Sequence, residues 1–135
     1  MKRITLTILT FVVFVGLAFG TASAFDQADF QKLKTTGNCA GCDLSGALLM
    51  HWKLAGADLS GANLAGANLT EAWLAGANLS GANLSGTILT GASLAGANLF
   101  RGKLGASNLL FVDFSDATWA DRSRCEQHSS GSCRR

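Results

Sequence analysis

Four cysteines are the residues of this chain whose type and spacing could carry chemistry. They form two close pairs, Cys39 with Cys42 and Cys125 with Cys133. Paired cysteines in even number are typical of disulfides in exported proteins, and two thiols separated by two residues are also the arrangement of a redox dithiol. Cysteine thiolates are zinc ligands as well. Disulfide, redox and zinc chemistry are therefore all open from the spacing alone.

A period of five residues organises the chain between the two cysteine pairs. Leucine recurs at every fifth residue from Leu44 to Leu109, and Phe114 takes the next place. The residue two positions before each leucine is usually Ala, and the residue directly before it is usually Asn or Asp. The residue two positions after the leucine is commonly Gly. Five matches neither the helical period of 3.6 nor the strand period of 2. The pattern therefore indicates short segments that bury their leucines by stacking, as in a solenoid.

Segments such as Ala-Asn-Leu-Ala-Gly at 62–66 and Ala-Asn-Leu-Ser-Gly at 77–81 resemble pentapeptide-repeat proteins, over roughly residues 40–119. The resemblance implies an all-β fold, a right-handed quadrilateral β-helix in which each pentapeptide forms one side of a square. Each leucine and the small residue two before it would point inward. The resemblance also implies a cysteine pair at each end of the repeats in secreted members. Stacking at strand spacing gives a rod roughly 20 Å long, with four coils: 40–59, 60–79, 80–99 and 100–119.

The chain divides into a signal peptide (1–24), an N-terminal capping helix (25–38), the repeats (39–119) and a polar, cysteine-containing tail without a core of its own (120–135). A basic start, an apolar stretch and Ala22-Ser23-Ala24 predict export with cleavage after Ala24; an uncleaved membrane anchor is the alternative. In the helix, predicted from Phe25 to Lys34, Asp26 is the expected N-cap and Phe30 and Leu33 share one face.

Charge limits the partners of the mature chain. Cleavage removes Lys2 and Arg3, which leaves nine basic against nine acidic residues. A neutral chain has no strong field to collect nucleic acid or an acidic membrane, so we expect neither as a partner, and no membrane span after cleavage. The partner expected instead is another protein, with a homo-oligomer as a further option.

The expected register leaves few candidates for catalysis. His51 falls at an outward corner and His128 in the tail, so no Ser-His-Asp group is expected. Asp43 and Asp58 occupy outward positions of the repeat and are interpreted as surface residues. The βαβ context of a redox dithiol is missing, and the two cysteine pairs would lie too far apart to share one zinc ion unless the tail folded back along the rod. We therefore predict no catalytic, cofactor-binding or metal-binding residue, and disulfides within each cysteine pair.

One side of the predicted square carries apolar residues where the repeat places polar ones. They are Leu48, Met50, Ile88, Leu110 and Phe111, which we call the apolar face. Exposed apolar groups can mark an interaction surface; packing against the terminal helix or the tail is the alternative. Trp73 and Phe100 stand out on two other sides.

The sequence thus predicts a non-enzymatic, exported repeat protein, periplasmic or secreted, that acts as a rigid scaffold or protein-binding module. A thiol redox or metal-handling protein that uses the cysteine pairs is the alternative. Some pentapeptide-repeat proteins resemble DNA and inhibit topoisomerases, but this chain departs from them because it is exported, short and nearly neutral.

Overall fold

The computed structural model describes residues 25–127 and 130–134 of the 135-residue chain. The predicted signal peptide and His128 lie outside the described residues. Helix α1 (Gln27–Thr36) comes first, and isolated β-bridges follow it at regular intervals. None of the described residues belongs to a helix long and apolar enough to cross a membrane.

Helix α1 is set by a capping residue at each end. A carboxylate oxygen of Asp26 accepts hydrogen bonds from the N–H groups of Ala28 and Asp29, at 2.8 and 3.0 Å, and satisfies donors that the first turn leaves unpaired. Gly37 follows the helix with a φ of 72° and donates to the Leu33 carbonyl, as a glycine C-cap does. The helix thus begins at Gln27 rather than at Phe25 and continues two residues beyond the predicted end at Lys34, because the residue that stops it is Gly37, within the segment 35–38 that was predicted to end it.

Each turn of the following chain takes twenty residues. The parallel bridges join residues twenty apart, in four columns: Asp43, Asn63, Asn83 and Lys103; Leu48, Asn68, Ile88 and Asn108; Lys53, Trp73, Ser93 and Asp113; and Asp58, Asn78, Asn98 and Thr118. Backbone hydrogen bonds follow the same register, as when the Leu64 N–H donates to the Asn83 carbonyl at 2.8 Å. Successive turns are therefore stacked at strand spacing.

Two features make the corners between successive bridges. One is a hydrogen bond from a backbone N–H to a side chain, and the other is a residue with a left-handed backbone conformation. The side-chain oxygen Oδ1 of Asn68 accepts a hydrogen bond from the Thr70 N–H at 3.0 Å, which makes an Asx turn. Glycine follows in most turns with positive φ, as at Gly66 (65°) and Gly86 (67°), where a residue without Cβ is unstrained. Non-glycine residues also take positive φ in the described chain: His51, Glu71, Arg101, Ala106, Phe111, Asp116 and Arg122.

The interior is filled by the leucine and alanine columns. Leu64 and Leu84 are fully buried, as are most members of these columns, in agreement with the inward positions that the family resemblance implies. Leu104 and Leu109 differ, because both are only partly buried. These two leucines lie in the last turn, on two sides whose leucines are fully buried in the preceding turns.

The tail, predicted to have no core of its own, is folded back on the last turn. Short antiparallel bridges join Asp113 to Ser130 and Thr118 to Arg124. The Cys125 N–H donates to the Ala117 carbonyl at 2.8 Å, and Cys125 is buried. The tail thus takes up carbonyl groups that the end of the ladder would leave unpaired.

Candidate functional site

Cys39 and Cys42 form a disulfide inside the first turn, with 5.3 Å between their Cα atoms. Both are buried, at 0% and 3% relative exposure. Cys39 takes the place of a leucine and Cys42 that of an alanine, so the bond joins two inward positions across the corner at Gly41. At these exposures a reductant in solution has little access to either sulfur, which favours a structural disulfide over a redox dithiol.

Asp29 of helix α1 lies next to this disulfide. One of its carboxylate oxygens and the two sulfur atoms all lie within 4.8 Å of one another. Sulfurs bonded to each other supply no thiolate for a metal ion. The Asp29 carboxylate has a structural role, because it accepts a hydrogen bond from the Asp43 N–H at 2.8 Å. Asp29 therefore ties helix α1 to the first turn.

Cys125 and Cys133 form the second disulfide, with 5.0 Å between their Cα atoms. Cys125 is buried under the tail, whereas Cys133 is only partly buried. No cysteine is left as a free thiol in the described chain. One disulfide lies in the first turn and the other in the tail that packs on the last turn, so they do not come together as one site.

The twenty-residue register places His51 beside Glu71. The His51 Nδ1 lies 3.3 Å from a Glu71 carboxylate oxygen, and both side chains are exposed. Sequence reasoning missed this pair, although a separation of one full turn could have revealed it. An exposed pair of this kind stabilises the fold little. His51 and Glu71 share one column with Gly91 and Phe111, so this column contains no serine nucleophile.

Asp43 and Asp58 begin columns of amide side chains on the surface. The Asn63 amide donates to Asp43 at 3.2 Å, and the Asn83 amide donates in turn to Asn63 at 3.3 Å. Hydrogen bonds from the Ser45 side chain and backbone lower the pKa of Asp43, and the Asn63 amide contributes less. The pKa of Asp58 is lowered in the same way, by Ser60 first. These carboxylates are therefore stabilised as anions, the opposite of what a general acid at neutral pH needs.

The apolar face is exposed in the structure. Relative exposures are 65% for Leu48, 44% for Met50, 39% for Ile88, 59% for Leu110 and 75% for Phe111. The face is not continuous, because Asn68 separates Leu48 from Ile88 in their column. Ile88 pairs with Asn108 in the next turn, and Leu110 and Phe111 follow Asn108 by two and three residues. Ile88, Leu110 and Phe111 thus lie on two adjacent turns and are all exposed, so neither helix α1 nor the described part of the tail covers them.

Two arginines share one aromatic ring near the end of the stack, which the sequence analysis did not anticipate. The guanidinium carbons of Arg101 and Arg122 lie 5.0 and 4.3 Å from the ring centre of Phe100, within cation–π range. We call Arg101 and Arg122 the arginine pair. Their separation of 21 residues, one turn and one residue, is the only sequence signal for it. Trp73 is also exposed, and the centre of its ring lies 5.7 Å from the Lys53 Nζ, again a cation–π contact.

Comparison with known proteins identifies the repeat. The family model for pentapeptide repeats, in eight copies, matches residues 38–81, 53–91, 67–105 and 77–118. The chain belongs to the pentapeptide-repeat family. The fold that this pentapeptide-repeat protein shares with its relatives is a right-handed β-helix.

Three solved pentapeptide-repeat proteins are similar to it. The protein alr5209 from Nostoc PCC 7120 is 30% identical, with a TM-score of 0.66 over 80% of this chain and 91% of its own. Rfr23 from Cyanothece 51142 is 28% identical over 67% of this chain and 82% of its own, with a TM-score of 0.30. A protein of the Arabidopsis thaliana thylakoid lumen is 27% identical over 74% of this chain and 86% of its own, with a TM-score of 0.29. No curated protein matches the chain.

Proposed function

We propose that this pentapeptide-repeat protein is an exported, non-enzymatic scaffold that binds another protein through its apolar face. In this proposal residues 40–119 form four coils of four sides each, and helix α1 caps the first coil. The contacts of Asp29, and the ring of Phe30 at 5.3 Å from Trp52, support a cap. The mature protein begins at Phe25 and is periplasmic or secreted.

The exposure of Ile88, Leu110 and Phe111 carries the binding proposal. Large apolar side chains left in water on adjacent turns favour burial against a partner. The pentapeptide places polar residues at these positions elsewhere, as at Asn68 in the column of Ile88. The core therefore does not require them to be apolar.

Export is supported by the N-terminal sequence and by the paired cysteines. Both disulfides join cysteines close in sequence, and structural disulfides persist in oxidising compartments. The alternative role, a thiol redox or metal-handling protein, has weaker support, because Cys39 and Cys42 are bonded and buried.

The substitution Ile88→Asn tests the binding proposal. It restores a residue that the repeat carries at this place, so stability should change by less than about 0.5 kcal/mol. The unsubstituted mature chain and the Ile88→Asn variant are each immobilised and used to capture envelope proteins, which are identified by mass spectrometry. The protein that the unsubstituted chain captures specifically should be missing with Ile88→Asn. Ser93→Asn is the matched control, because it introduces the same residue at the equivalent repeat position one pentapeptide later, on the neighbouring side, without removing an apolar side chain. Equal capture by all three proteins, or a stability loss above about 1 kcal/mol for Ile88→Asn, would count against the proposal.

A further inference from the structure

Residues 102–106 of the last turn form an edge that no backbone of the described residues pairs with, which we call the open edge. One turn earlier, the N–H groups of Leu84 and Gly86 donate to the carbonyls of Lys103 and Gly105, at 2.7 and 2.8 Å. The equivalent N–H groups of Leu104 and Ala106 have no acceptor among the described residues. The Gly102 carbonyl likewise has no backbone donor among the described residues. The carbonyl of Ala82, at the equivalent place one turn earlier, accepts a hydrogen bond from the Lys103 N–H at 2.9 Å.

Side chains at the open edge alternate between the interior and the solvent. Leu104 belongs to a leucine column that is fully buried in earlier turns but is only partly buried itself. Lys103, the residue before it, is exposed on the outside. An extended segment added here would place one side chain over Leu104 and the next beside Lys103. An unpaired edge with such alternation is the geometry that accepts a strand from another chain.

Three basic side chains, Arg101, Lys103 and Arg122, lie at the same edge. Arg101 directly precedes the open edge, and Arg122 lies over the same Phe100 ring. No carboxylate of the described residues forms a salt bridge with either arginine or with Lys103. Asp121, which follows Arg101 in its column, accepts two hydrogen bonds from Ser123, at 2.9 and 2.6 Å. Two guanidinium groups held on one ring favour a carboxylate as their ligand.

We propose that the open edge binds an extended acidic segment of a partner protein by strand addition. The N–H groups of Leu104 and Ala106 would donate to the added backbone, and its inward apolar side chain would cover Leu104. Arg101, Lys103 and Arg122 would bind its outward carboxylates. This site is distinct from the apolar face, because it uses the end of the stack rather than one of its sides.

The test uses the mature chain, residues 25–135, and a labelled ten-residue peptide of alternating valine and glutamate. We expect saturable binding, and weakening of about tenfold in the double variant Arg101→Gln, Arg122→Gln, for the loss of two charge-assisted contacts. The variant Lys32→Gln, Lys34→Gln removes the same charge from helix α1, at the other end of the stack, and should bind normally. Ile88→Asn should also bind normally, which separates this site from the apolar face.

Two further readouts use the unsubstituted protein, so the proposal stays testable if the arginine variant fails to fold. Saturating peptide should slow amide hydrogen exchange at Leu104 and Ala106 by at least about tenfold, as for newly bonded N–H groups. A peptide of alternating valine and lysine should bind at least about tenfold more weakly. Unchanged exchange at both amides, or equal affinity for the two peptides, overturns the proposal. So does a dimer whose Leu104 and Ala106 amides are already protected, since a second copy would then occupy the edge.

Discussion

At the scale of single residues, the position in the stack determines how much a leucine contributes. Leu79 lies between Leu59 and Leu99 in its column, and all three are fully buried. Its side chain therefore contacts close-packed neighbours in the turns before and after it. Leu104 has such a neighbour in only one direction among the described residues and remains partly exposed.

We predict that Leu79→Ala lowers the free energy of unfolding by roughly 2–5 kcal/mol, through lost burial and the cavity left behind. Urea denaturation of the mature chain measures this. Leu104→Ala makes the same chemical change at a partly exposed place and should cost clearly less. Equal losses for the two substitutions would contradict the packing described for the last turn.

The hydrogen-bonded carboxylates on the surface predict a loss of stability in acid. The pKa values of Asp43 and Asp58 are lower in the folded chain than their ordinary values, first because of hydrogen bonds from Ser45 and Ser60. Protons therefore bind the unfolded chain more readily. The stabilisation is complete above about pH 4, the ordinary range for Asp, and declines as the pH falls through the folded values.

Asp43→Asn should flatten this decline, because an amide oxygen accepts the same hydrogen bonds without titrating. Thermal unfolding between about pH 6 and pH 3, the range that brackets the Asp titration, provides the measurement. Asp116→Asn removes a carboxylate for which no such hydrogen bonds are seen and is the control. Identical pH profiles for wild type and Asp43→Asn would show that these hydrogen bonds do not couple to folding.

At the scale of elements, the two disulfides differ in what protects them. The Cys39–Cys42 bond is enclosed by the first turn and by helix α1, whereas Cys133 is only partly buried in the tail. Attack by a thiolate on a disulfide depends on access to sulfur. The tail is therefore the element that a reductant should reach first.

Titration with dithiothreitol should open Cys125–Cys133 before Cys39–Cys42. Alkylation at each step and mass mapping of the peptides give the order. A second alkylation series in denaturant, where burial is lost, should remove most of the difference. If Cys39–Cys42 opened first in the native protein, the first turn would be more accessible than its burial indicates and a redox role would gain support.

The inward side chains of the repeats could be predicted through the resemblance of the sequence to pentapeptide-repeat proteins, and the packing at the two ends could not. Leu64, Ala67 and their counterparts repeat one local environment, so one register places all of them. The end of α1 at Gly37 and the packing of Cys125 depend on contacts that occur once in the chain. Phe100 with its arginine pair was missed for the same reason, since its second arginine comes from outside the repeats.

At the scale of the whole molecule, the prediction that matters most is where the mature chain begins. Residues 1–24 have the pattern of a signal peptide, and Asp26 begins the capping of helix α1 two residues after the expected cleavage. N-terminal sequencing of protein from the envelope or the medium should therefore start at Phe25. Ala24→Leu, which disturbs the small-residue cleavage site, should slow processing. Protein that retains Met1 in the inner membrane would contradict export.

The turn length of twenty residues also governs how insertions and deletions would act on this molecule. A gain or loss of five residues in the middle keeps every leucine inside, because the pentapeptide frame is preserved. It shifts every later residue to the neighbouring side, so Leu48 and Ile88, now in one column, would no longer share a side. Twenty residues can be added without that rotation, and the stack simply grows by one strand spacing of about 4.8 Å. Surface composition can therefore be rearranged in steps of five residues, and length alone in steps of twenty.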